Sequence, residues 1–498
     1  MNYAIVRNLI GKIFILIAGL LLLPLFTAII NKEGILNIFS FIIPIVLLVG
    51  IGLLCNMKKA KDKTLLAKEG FVIVALSWIL MSLFGCLPFV ISRQIPNFID
   101  AFFETTSGFT TTGASILNNE VGHMVEELTK SMQLWRSFTH WIGGMGVLVF
   151  ILAIIPESDN GSAVHILRAE SPGPQVGKLV SKMKVSSRIL YIIYIVLTLL
   201  EFLFLWLGPD KEMTAFSSLI YSLGTAGTGG FGINTASMGY YGAYSQYVVA
   251  IFMFVFGINF NMFYFLLIRN LKDIRKNEEI RWYFIIAITS VLIIFFNILG
   301  QYDTVEHAFR DSLFETTSIM STTGYVTADA NTWPVLSKCV IILLMVFGAC
   351  AGSTAGGFKL SRIIILVKSG IAKIKKMVSP RKVFAVRMNG KTLDEETIGG
   401  VHGFMIVYFI VFATCTILVS IDGIGDVLSN ITASISCISN VGPYLSSVTG
   451  WTNGIDGTFM HYSYFSKIIF SLEMIAGRLE LFPLLVFFAP STWRKRSF

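Results

Sequence analysis

The sequence predicts an all-α polytopic membrane protein, with four pseudo-symmetric helix–pore loop–helix repeats around a central pore and two N-terminal transmembrane helices before them. The first supporting observation is composition: 54% of the 498 residues are hydrophobic, 14% are charged, and the mean hydropathy is +0.72. Soluble domains are about 45–50% apolar and about 25% charged. The second is a series of long apolar runs, and the third is a motif that recurs between them.

A helix that crosses a bilayer needs about 20 mostly apolar residues. Ten runs satisfy this length, at 8–30, 35–55, 70–92, 133–155, 186–208, 244–268, 280–300, 333–367, 397–421 and 462–489. The first run lacks a small-residue cleavage site and is followed at once by a second apolar run. We therefore expect a retained first helix rather than a secretory signal peptide.

The basic residues predict the orientation of these spans. Most of the 39 Lys and Arg residues lie before the first span, in the even-numbered loops or after the last span. Because cytoplasmic loops are enriched in Lys and Arg, both termini are predicted to be cytoplasmic, in a multi-pass protein of the cell inner (plasma) membrane. The same distribution accounts for the net charge of +9 without nucleic acid as a partner.

A Thr- and Gly-rich motif recurs in four of the extracellular gaps. Residues 103–113 match residues 314–324 at eight of eleven positions, and weaker copies lie at 222–229 and 436–442. Each copy lies between two spans, as expected for an internal repeat. The repeats divide the chain into an N-terminal two-helix domain and four units, at 1–69, 70–185, 186–279, 280–396 and 397–498.

The repeated motif has the chemistry of a cation filter. Irregular backbone at membrane depth is tolerated only where protein buries it or water reaches it, and carbonyl oxygens can replace the hydration shell of a monovalent cation. Glycine permits the backbone angles that such a path requires. The predicted filter residues are Thr110, Thr111, Thr112, Gly113, Ala226, Gly227, Thr228, Gly229, Ser321, Thr322, Thr323, Gly324, Ser439, Asn440, Val441 and Gly442.

The segments before these motifs are predicted to be short helices that enter from outside the cell. They lie at about 97–109, 212–224, 304–320 and 425–438. Acidic residues near their starts suit the positive end of the helix dipole, so the negative ends would point at the cation.

Span 8 contains a candidate gate. Four glycines within residues 348–357 disfavour an unbroken helix, so we expect a loop in the middle of the membrane. The predicted gate residues are Gly348, Gly352, Ser353, Thr354, Gly356 and Gly357, together with Arg478 in the last span. A charge at that depth costs about 2.5–3.5 kcal/mol on insertion scales. Two interpretations of Arg478 remain open: an ion pair with Glu473 or Glu480, or an electrostatic barrier beside the loop.

Further polar and small residues within the apolar segments have structural interpretations. Glycines in spans 4 and 6 are expected to pack helices, and three polar side chains are expected to form interhelical hydrogen bonds. The glycines are Gly143, Gly144, Gly146 and Gly257, and the polar residues are His140, Asn259 and Asn261. Glu104 and Glu315 hold equivalent positions behind the filter and are expected to bind backbone amides there.

The repeats and their glycines resemble the Trk/Ktr/HKT superfamily of potassium-translocating membrane subunits. The two extra N-terminal spans and residues 169–174 resemble its TrkH type. The resemblance implies four helix–pore loop–helix repeats with one filter glycine each, and a glycine at all four positions is associated with potassium. Sodium-preferring relatives have Ser where this chain has Gly113. The fourth motif, at 440–443, departs most from the Thr-x-Gly pattern.

The resemblance also implies how passage is controlled and which partners take part. It favours gating by the span 8 loop and the pore arginine. It implies a homodimer in which each protomer has its own pore, and a cytosolic RCK-type nucleotide-binding regulatory subunit similar to TrkA. The basic loops 269–281 and 359–391 are then the expected docking surface.

The sequence therefore favours potassium uptake through an ion channel-like path, with K⁺ as the transported ion and no organic cofactor in this chain. An enzyme is not expected, because the six His and six Cys form no nucleophile–base or metal-ligand pattern. The alternatives are a proton- or sodium-coupled potassium symporter and a less selective sodium/potassium pathway. No continuous chain of acids is visible for a proton relay, but coupling by conformational change remains open.

Overall fold

The computed structural model describes residues 1–58, 67–117, 122, 124–146, 183–446 and 458–493. Over these residues the chain is helical apart from turns, loops and one antiparallel hairpin, which pairs Arg387–Met388 with Lys391–Thr392. The predicted all-α class is confirmed. The predictions for residues 147–155 of span 4, for residues 169–174 and for several basic loop residues lie outside the described residues.

Two N-terminal spans precede the repeats, formed by Tyr3–Leu20 with Leu22–Ile30 and by Ile35–Met57. They cross closely at two glycines. A Cβ added to Gly52 would lie 2.8 Å from the carbonyl oxygen of Gly11. Small residues let backbones approach in this way and are common where membrane helices pack.

Each repeat supplies an outer helix, a pore helix and an inner helix. The outer helices of repeats 1 to 4 are Ala67–Gly85, Met183–Trp206, Glu278–Ile298 and Glu395–Ser420. The pore helices are Phe98–Phe109, Ala215–Gly227, Val305–Met320 and Val427–Ser439. The inner helices are Lys130–Gly144, Ala243–Phe256 with Phe260–Leu267, Val335–Phe347 with Leu360–Val378, and Tyr464–Arg478 with Phe482–Phe488. Short helical segments are Leu87–Ile91, Val125–Glu127, Ser237–Tyr240, Leu271–Lys276, Leu299–Gln301, Ala330–Thr332, Phe459–His461 and Pro490–Trp493.

All four pore helices begin with a side-chain cap. The capping oxygens belong to Asn97, Thr214, Thr304 and Asp426, and each accepts a hydrogen bond from a backbone amide of the first turn. A cap of this kind is worth about 1 kcal/mol because it satisfies an N–H that has no partner within the helix. The four predicted pore helices are therefore present, with bounds that differ from the predicted ones by a few residues.

Six helical segments among the described residues are long and apolar enough to cross a membrane, and a pair bent by 92° makes a seventh. That pair corrects the continuous span predicted over 244–268. The helix ends at Phe256, and Asn259 starts the next one by accepting a hydrogen bond from the amide of Asn261 at 2.9 Å. The expected interhelical role of Asn259 is therefore replaced by a capping role.

The continuous span predicted over 462–489 is also wrong. The helix Tyr464–Arg478 ends in two residues with positive φ, Glu480 at 54° and Leu481 at 67°. Pro483 lies in the first turn of the helix that follows, where its missing N–H and fixed φ are tolerated. The break predicted in span 8 is confirmed, since the helix Val335–Phe347 stops at Gly348.

Candidate functional site: a ring of four glycines above an intramembrane loop

The four pore helices end in the same backbone geometry. A residue in the left-handed region follows each helix, with φ of 55° or 56°, at Thr111, Thr228, Thr322 and Asn440. Two residues later comes a glycine with φ between 77° and 99°, at Gly113, Gly230, Gly324 and Gly442. The sequence motif therefore has one conformation repeated four times.

This geometry corrects the register predicted for repeat 2. Gly230 occupies the position of Gly113, whereas Gly229 corresponds to Thr112 and does not have positive φ. Ala226 lies inside the pore helix, which continues to Gly227. The slip arose because two consecutive glycines follow Thr228, so the sequence offered two equivalent alignments.

The four glycines close a ring. A Cβ added to any of them would lie within 3.0 Å of a backbone carbonyl oxygen of the next repeat, in the cyclic order 1, 2, 3, 4, 1. The four glycine–oxygen pairs are Gly113 with Gly229, Gly230 with Thr323, Gly324 with Val441, and Gly442 with Thr112. We call these eight residues the filter ring. Real Cβ atoms essentially never approach so closely, so a side chain at any of the four glycines would force neighbouring backbone apart.

Each repeat also anchors its part of the ring to its own pore helix. The amides of Thr112, Gly229, Thr323 and Val441 donate to carbonyls five residues earlier, at 2.9 to 3.0 Å. These i to i−5 bonds satisfy carbonyls that the helix ends leave open. The same anchoring bond, with nearly the same length, therefore occurs in all four repeats.

Side chains in and next to the filter ring add buried hydroxyl and amide contacts. The Thr110 and Thr112 hydroxyl oxygens are 2.8 Å apart, and those of Ser321 and Thr323 are 2.7 Å apart. In repeat 4, the Asn440 amide group donates to the Thr112 hydroxyl at 2.9 Å. All five of these side chains are fully buried. Repeat 4 thus joins repeat 1 through a side chain as well as through the ring.

Glu104 binds backbone behind the filter, as predicted, but the bound amide belongs to the segment after the filter glycine. Its carboxylate accepts from the Ile116 amide at 2.9 Å and from the Ser115 hydroxyl at 2.9 Å. Arg136 donates to it at 2.6 Å and also to the Gly232 carbonyl at 3.0 Å. The sequence analysis missed Arg136, although an arginine within predicted span 4 was a usable signal.

Glu315 has the equivalent role in repeat 3. It accepts from the Thr327 amide at 2.8 Å and the Ala328 amide at 3.4 Å. Its pore helix is thereby tied to the chain three and four residues after Gly324. The same tether thus occurs in two repeats.

His140 forms the predicted interhelical hydrogen bond. Its Nδ1 lies 2.7 Å from the Gly108 carbonyl, and its Nε2 accepts from the Phe231 amide at 3.2 Å. Because an amide donates to Nε2, the ring proton belongs on Nδ1, which donates to Gly108. The imidazole therefore links the pore helix of repeat 1 to the segment after the filter of repeat 2.

The intramembrane loop, residues 348–359, lies against the filter segments of repeats 3 and 4. The Gly356 amide donates to the Thr322 hydroxyl at 2.7 Å, and a Cβ on Gly356 would collide with the Ser439 carbonyl. The loop is also bound to the break in the inner helix of repeat 2. There the Cys350 amide donates to the Gly257 carbonyl at 3.1 Å. Two breaks in neighbouring inner helices therefore support each other.

Positive φ angles shape this loop at Gly348, Gly352, Gly357 and Lys359. The Phe260 amide donates to the Gly352 carbonyl at 3.0 Å, and the Thr354 hydroxyl donates to the Phe256 carbonyl at 3.3 Å. The Ser353 hydroxyl donates within the loop, to Cys350 at 2.7 Å. The predicted gate residues thus lie in one irregular segment that is bound by hydrogen bonds to its neighbours.

Arg478 connects this loop to repeat 1. Its guanidinium donates to the Thr354 carbonyl at 2.8 Å and to the Gly144 carbonyl at 2.8 Å, and it also contacts the Gly143 carbonyl. The two acids considered as ion-pair partners have other contacts. Glu480 forms a salt bridge with Arg362, and Glu473 accepts from the Ser434 hydroxyl at 2.6 Å. Arg478 therefore bridges the loop and the inner helix of repeat 1.

Gly143 and Gly144 pack as predicted. A Cβ on Gly143 would collide with the Phe109 carbonyl, and one on Gly144 would lie 2.8 Å from the Cα of Gly227. Gly257 packs closely as well, against the Tyr283 hydroxyl. Among the described residues, no group of three or more His, Cys, Asp and Glu side chains is arranged to hold a metal ion.

Comparisons with known proteins agree with this architecture. Residues 35–495 match the family model described as "TrkH: Cation transport protein". The chain is 32% identical to the "Trk system potassium uptake protein TrkH" of Salmonella typhimurium, covering 99% of this chain and all of the relative. It is 31% identical to the protein of the same name from Escherichia coli K12, with the same coverage.

A solved structure is similar throughout. The crystal structure of the potassium transporter TrkH from Vibrio parahaemolyticus superposes with a TM-score of 0.86 at 28% identity, covering 99% of this chain and all of that one. The match extends over the N-terminal spans and all four repeats. The chain therefore belongs to the TrkH family of cation transport proteins, whose members are membrane transporters rather than enzymes.

Proposed function

We propose that this chain takes up potassium across the cytoplasmic membrane through the filter ring. The single observation that carries the proposal is the closed cycle of glycine and carbonyl contacts between Gly113, Gly230, Gly324 and Gly442 and their neighbours. A path enclosed by backbone oxygens can replace the water around a monovalent cation without a fixed charge that would retain it. The names of the curated relatives, potassium uptake proteins, support K⁺ as the ion.

The amides of the filter ring support this chemistry. The amides of Thr112, Gly229, Thr323 and Val441 are engaged in bonds to their own pore helices, so these four amides do not repel a cation at that level. The hydroxyls of Thr110, Thr112, Ser321 and Thr323, in the ring or two residues before it, supply further oxygen atoms. The predicted filter residues, with repeat 2 corrected to Gly227, Thr228, Gly229 and Gly230, form the proposed K⁺ path.

The proposed gate is the intramembrane loop together with Arg478. The loop touches Thr322 and Ser439, directly at the filter segments, and the guanidinium adds a positive charge that opposes a cation below the filter. Opening would require the loop to leave the Thr322 hydroxyl and Arg478 to release the Thr354 carbonyl.

The proposed setting is the inner membrane, with both termini in the cytoplasm. The proposed assembly is a homodimer with one pore in each protomer, bound to a cytosolic RCK-type nucleotide-binding subunit. The name "Trk system" of the relatives supports a multi-subunit system. Loops 269–281 and 359–391 are the proposed docking surface for that subunit.

Proton- or sodium-coupled symport is the second candidate. The observation that favours it is two fully buried acids within the helices, Glu201 of the outer helix of repeat 2 and Glu473 of the inner helix of repeat 4. Buried acids at membrane depth occur in proton relays. Glu473, which accepts from the Ser434 hydroxyl, lies behind a pore helix rather than in the filter ring, so a pore remains the first candidate.

Flux into liposomes tests these proposals. Purified protein is reconstituted, and uptake of potassium, rubidium, sodium and lithium is compared with and without a proton gradient or a sodium gradient. We expect potassium and rubidium to pass best and uptake to follow the potassium gradient alone. Uptake that follows a proton or sodium gradient would favour symport, and equal passage of sodium would favour the less selective pathway.

The gate has its own test, Arg478→Ala beside Arg478→Lys. Removing the guanidinium releases the loop and removes a positive charge, so potassium flux should rise by roughly tenfold, equivalent to about 1.4 kcal/mol at the barrier. Arg478→Lys keeps the positive charge but loses the forked contacts of the guanidinium. Its potassium flux should therefore lie between that of wild type and that of Arg478→Ala. Unchanged or lower flux in folded Arg478→Ala protein would contradict the barrier.

A further inference from the structure

A basic pocket lies at the start of repeat 3, away from the filter ring. Its volume is about 510 Å³, and it lies between the start of the outer helix Glu278–Ile298 and the β-hairpin. Four cationic side chains line it, those of Arg275, Lys276, Arg281 and Lys391. Ligand pockets are commonly about 300–1,000 Å³, so the volume suits a small anionic group.

The acid in this pocket does not neutralise it. Glu278 forms a salt bridge with Lys368, and its carboxylate also accepts from the Asn389 amide at 3.1 Å. The Glu278 amide in turn donates to the Asn389 side chain at 2.8 Å. This reciprocal pair fixes the hairpin turn to the start of the helix. The walls are thus preformed, and the four cationic side chains form no salt bridge with any of the residues that the structure describes.

The surroundings favour a lipid rather than a free anion. Trp282 lines the pocket and is 45% exposed, at the end of a membrane-spanning helix where tryptophan is enriched. Toward the C-terminal end of the helix, exposed apolar side chains lie 4, 7 and 11 residues after Arg281, on the same helix face. These are Ile285, Ile288 and Leu292. A headgroup in the pocket would place its acyl chains along this apolar face.

Glu278 lines the pocket, and the next residue, Glu279, forms a contact that holds the intramembrane loop. Glu279 is 4% exposed and accepts from the Ala351 amide at 2.8 Å and the Ser361 amide at 3.0 Å. Ala351 lies near the start of the loop, and Ser361 lies two residues after its end. The start of one helix therefore binds the hairpin through Glu278, and through Glu279 it binds both the loop, at Ala351, and the helix that follows the loop, at Ser361.

We propose that the basic pocket binds the phosphate headgroup of an acidic phospholipid in the cytoplasmic leaflet, and that its occupancy alters flux through Glu279. The inference rests on the proposed gate and on the proposed orientation. Because Arg275, Arg281 and Lys391 lie within the loops proposed to dock the regulatory subunit, the lipid is proposed to bind the chain when that subunit is not bound. Cationic pockets between membrane helices on the cytoplasmic side recognise such headgroups. A charge change at Glu278 or the hairpin is transmitted through the shared helix start to the loop.

Binding is tested with the triple variant Arg275→Gln/Arg281→Gln/Lys391→Gln. The matched control, Lys12→Gln/Lys58→Gln/Lys68→Gln, removes the same charge from positions outside the pocket and outside loops 269–281 and 359–391. Native mass spectrometry would measure retention of phosphatidylglycerol, with phosphatidylcholine and inorganic phosphate as comparison ligands. We expect the pocket variant to retain phosphatidylglycerol at least about tenfold more weakly than wild type and the control to match wild type.

Two binding outcomes would overturn the proposal. Equal loss in both triple variants would show a general effect of surface charge. Displacement of the lipid by inorganic phosphate at similar concentrations would assign the pocket to a free anion. Lipid retention can be measured without transport. It therefore tests lipid binding in the pocket even if the protein carries no potassium, and the failure of the lipid proposal can be distinguished from the failure of the proposed potassium uptake.

Coupling is tested by potassium flux in phosphatidylcholine vesicles with increasing phosphatidylglycerol. Wild type and the control triple should change flux by about fivefold across the series, and the pocket variant should not respond. Glu279→Ala should retain the lipid but lose the response, since it releases the Ala351 and Ser361 amides, with Glu279→Gln as a milder variant. A lipid response that survives in Glu279→Ala would overturn the coupling.

Discussion

Repeats 1 and 3 differ from repeats 2 and 4 in how the filter is supported. In the odd repeats the pore helix carries Glu104 or Glu315, seven residues before the left-handed residue, and each binds an amide beyond the filter glycine. The even repeats have Tyr221 and Ala433 at that position. The backbone angles of the filter are nevertheless the same in all four. The ring is thus specified by helix ends and glycines, while the tethers behind it differ.

The largest effect on ion selectivity should come from a ring glycine in an even repeat, which has no carboxylate tether of this kind. Gly230→Ala would push a Cβ against the Thr323 carbonyl at a φ of 77°. Overpacking costs about 1–3 kcal/mol, and left-handed backbone adds about 1–2 kcal/mol. We expect the potassium-to-sodium flux ratio to fall sharply and the unfolding temperature to drop. Gly300→Ala, where a Cβ meets open space, is the control and should leave both unchanged.

The next largest effect should distinguish the two odd repeats. Glu104→Gln leaves the buried Arg136 without its ionic partner, which costs about 3–5 kcal/mol. Glu315→Gln weakens bonds to two amides and should cost about 1–3 kcal/mol. Chemical unfolding in detergent would measure both. If Glu315→Gln destabilised the protein more, the role given to Arg136 would be wrong.

A smaller effect is expected where repeat 4 departs from the other three. Asn440 tolerates left-handed backbone and donates to the Thr112 hydroxyl and to the Met474 carbonyl, both at 2.9 Å. Asn440→Thr would restore the residue of the other repeats but lose both bonds, at about 1–2 kcal/mol. Unfolding measurements and the potassium-to-sodium ratio should show modest losses. A gain in stability would mean that threonine is preferred at every left-handed position.

The smallest effect is expected at Tyr221, which occupies in repeat 2 the position that Glu104 and Glu315 occupy in repeats 1 and 3. The Tyr221 hydroxyl is 3.4 Å from the Ser237 carbonyl, a long hydrogen bond. Tyr221→Phe keeps the ring packed and should cost no more than about 1 kcal/mol, with flux unchanged. A loss comparable to that of Glu104→Gln, measured in the same unfolding assay, would show that the even repeats have an equivalent tether.

The sequence predicted the parts of the site that depend on local chemistry. The pore helices were recognisable from the acidic residues near their starts and from the motifs that follow them, and the break at 348–357 from its dense glycines. The breaks at 257–259 and 479–481 were missed, because their residues are mostly compatible with an apolar helix and tertiary contacts impose the turn. Leu481, with φ of 67°, has no signal in the sequence.

The sequence also could not determine how the motif of repeat 2 aligns with those of the other repeats, or which distant residues pair. Consecutive glycines at 229 and 230 allow two alignments of repeat 2, and only the contacts with Gly113 and Thr323 choose between them. Arg136 and Glu104 are 32 residues apart, so their pairing required the packing of the pore helix on the inner helix. Long-range contacts of this kind leave no periodic pattern in the chain.

The central claim is that four equivalent glycines, one from each repeat, form the filter. The most direct test substitutes Ser at Gly113, Gly230, Gly324 and Gly442 in turn and compares potassium, rubidium, sodium and lithium flux in liposomes, with Gly300→Ser as the control. We expect all four variants to lose potassium preference while the control keeps it. Retained preference in Gly230→Ser, with folded protein and normal flux, would contradict the ring.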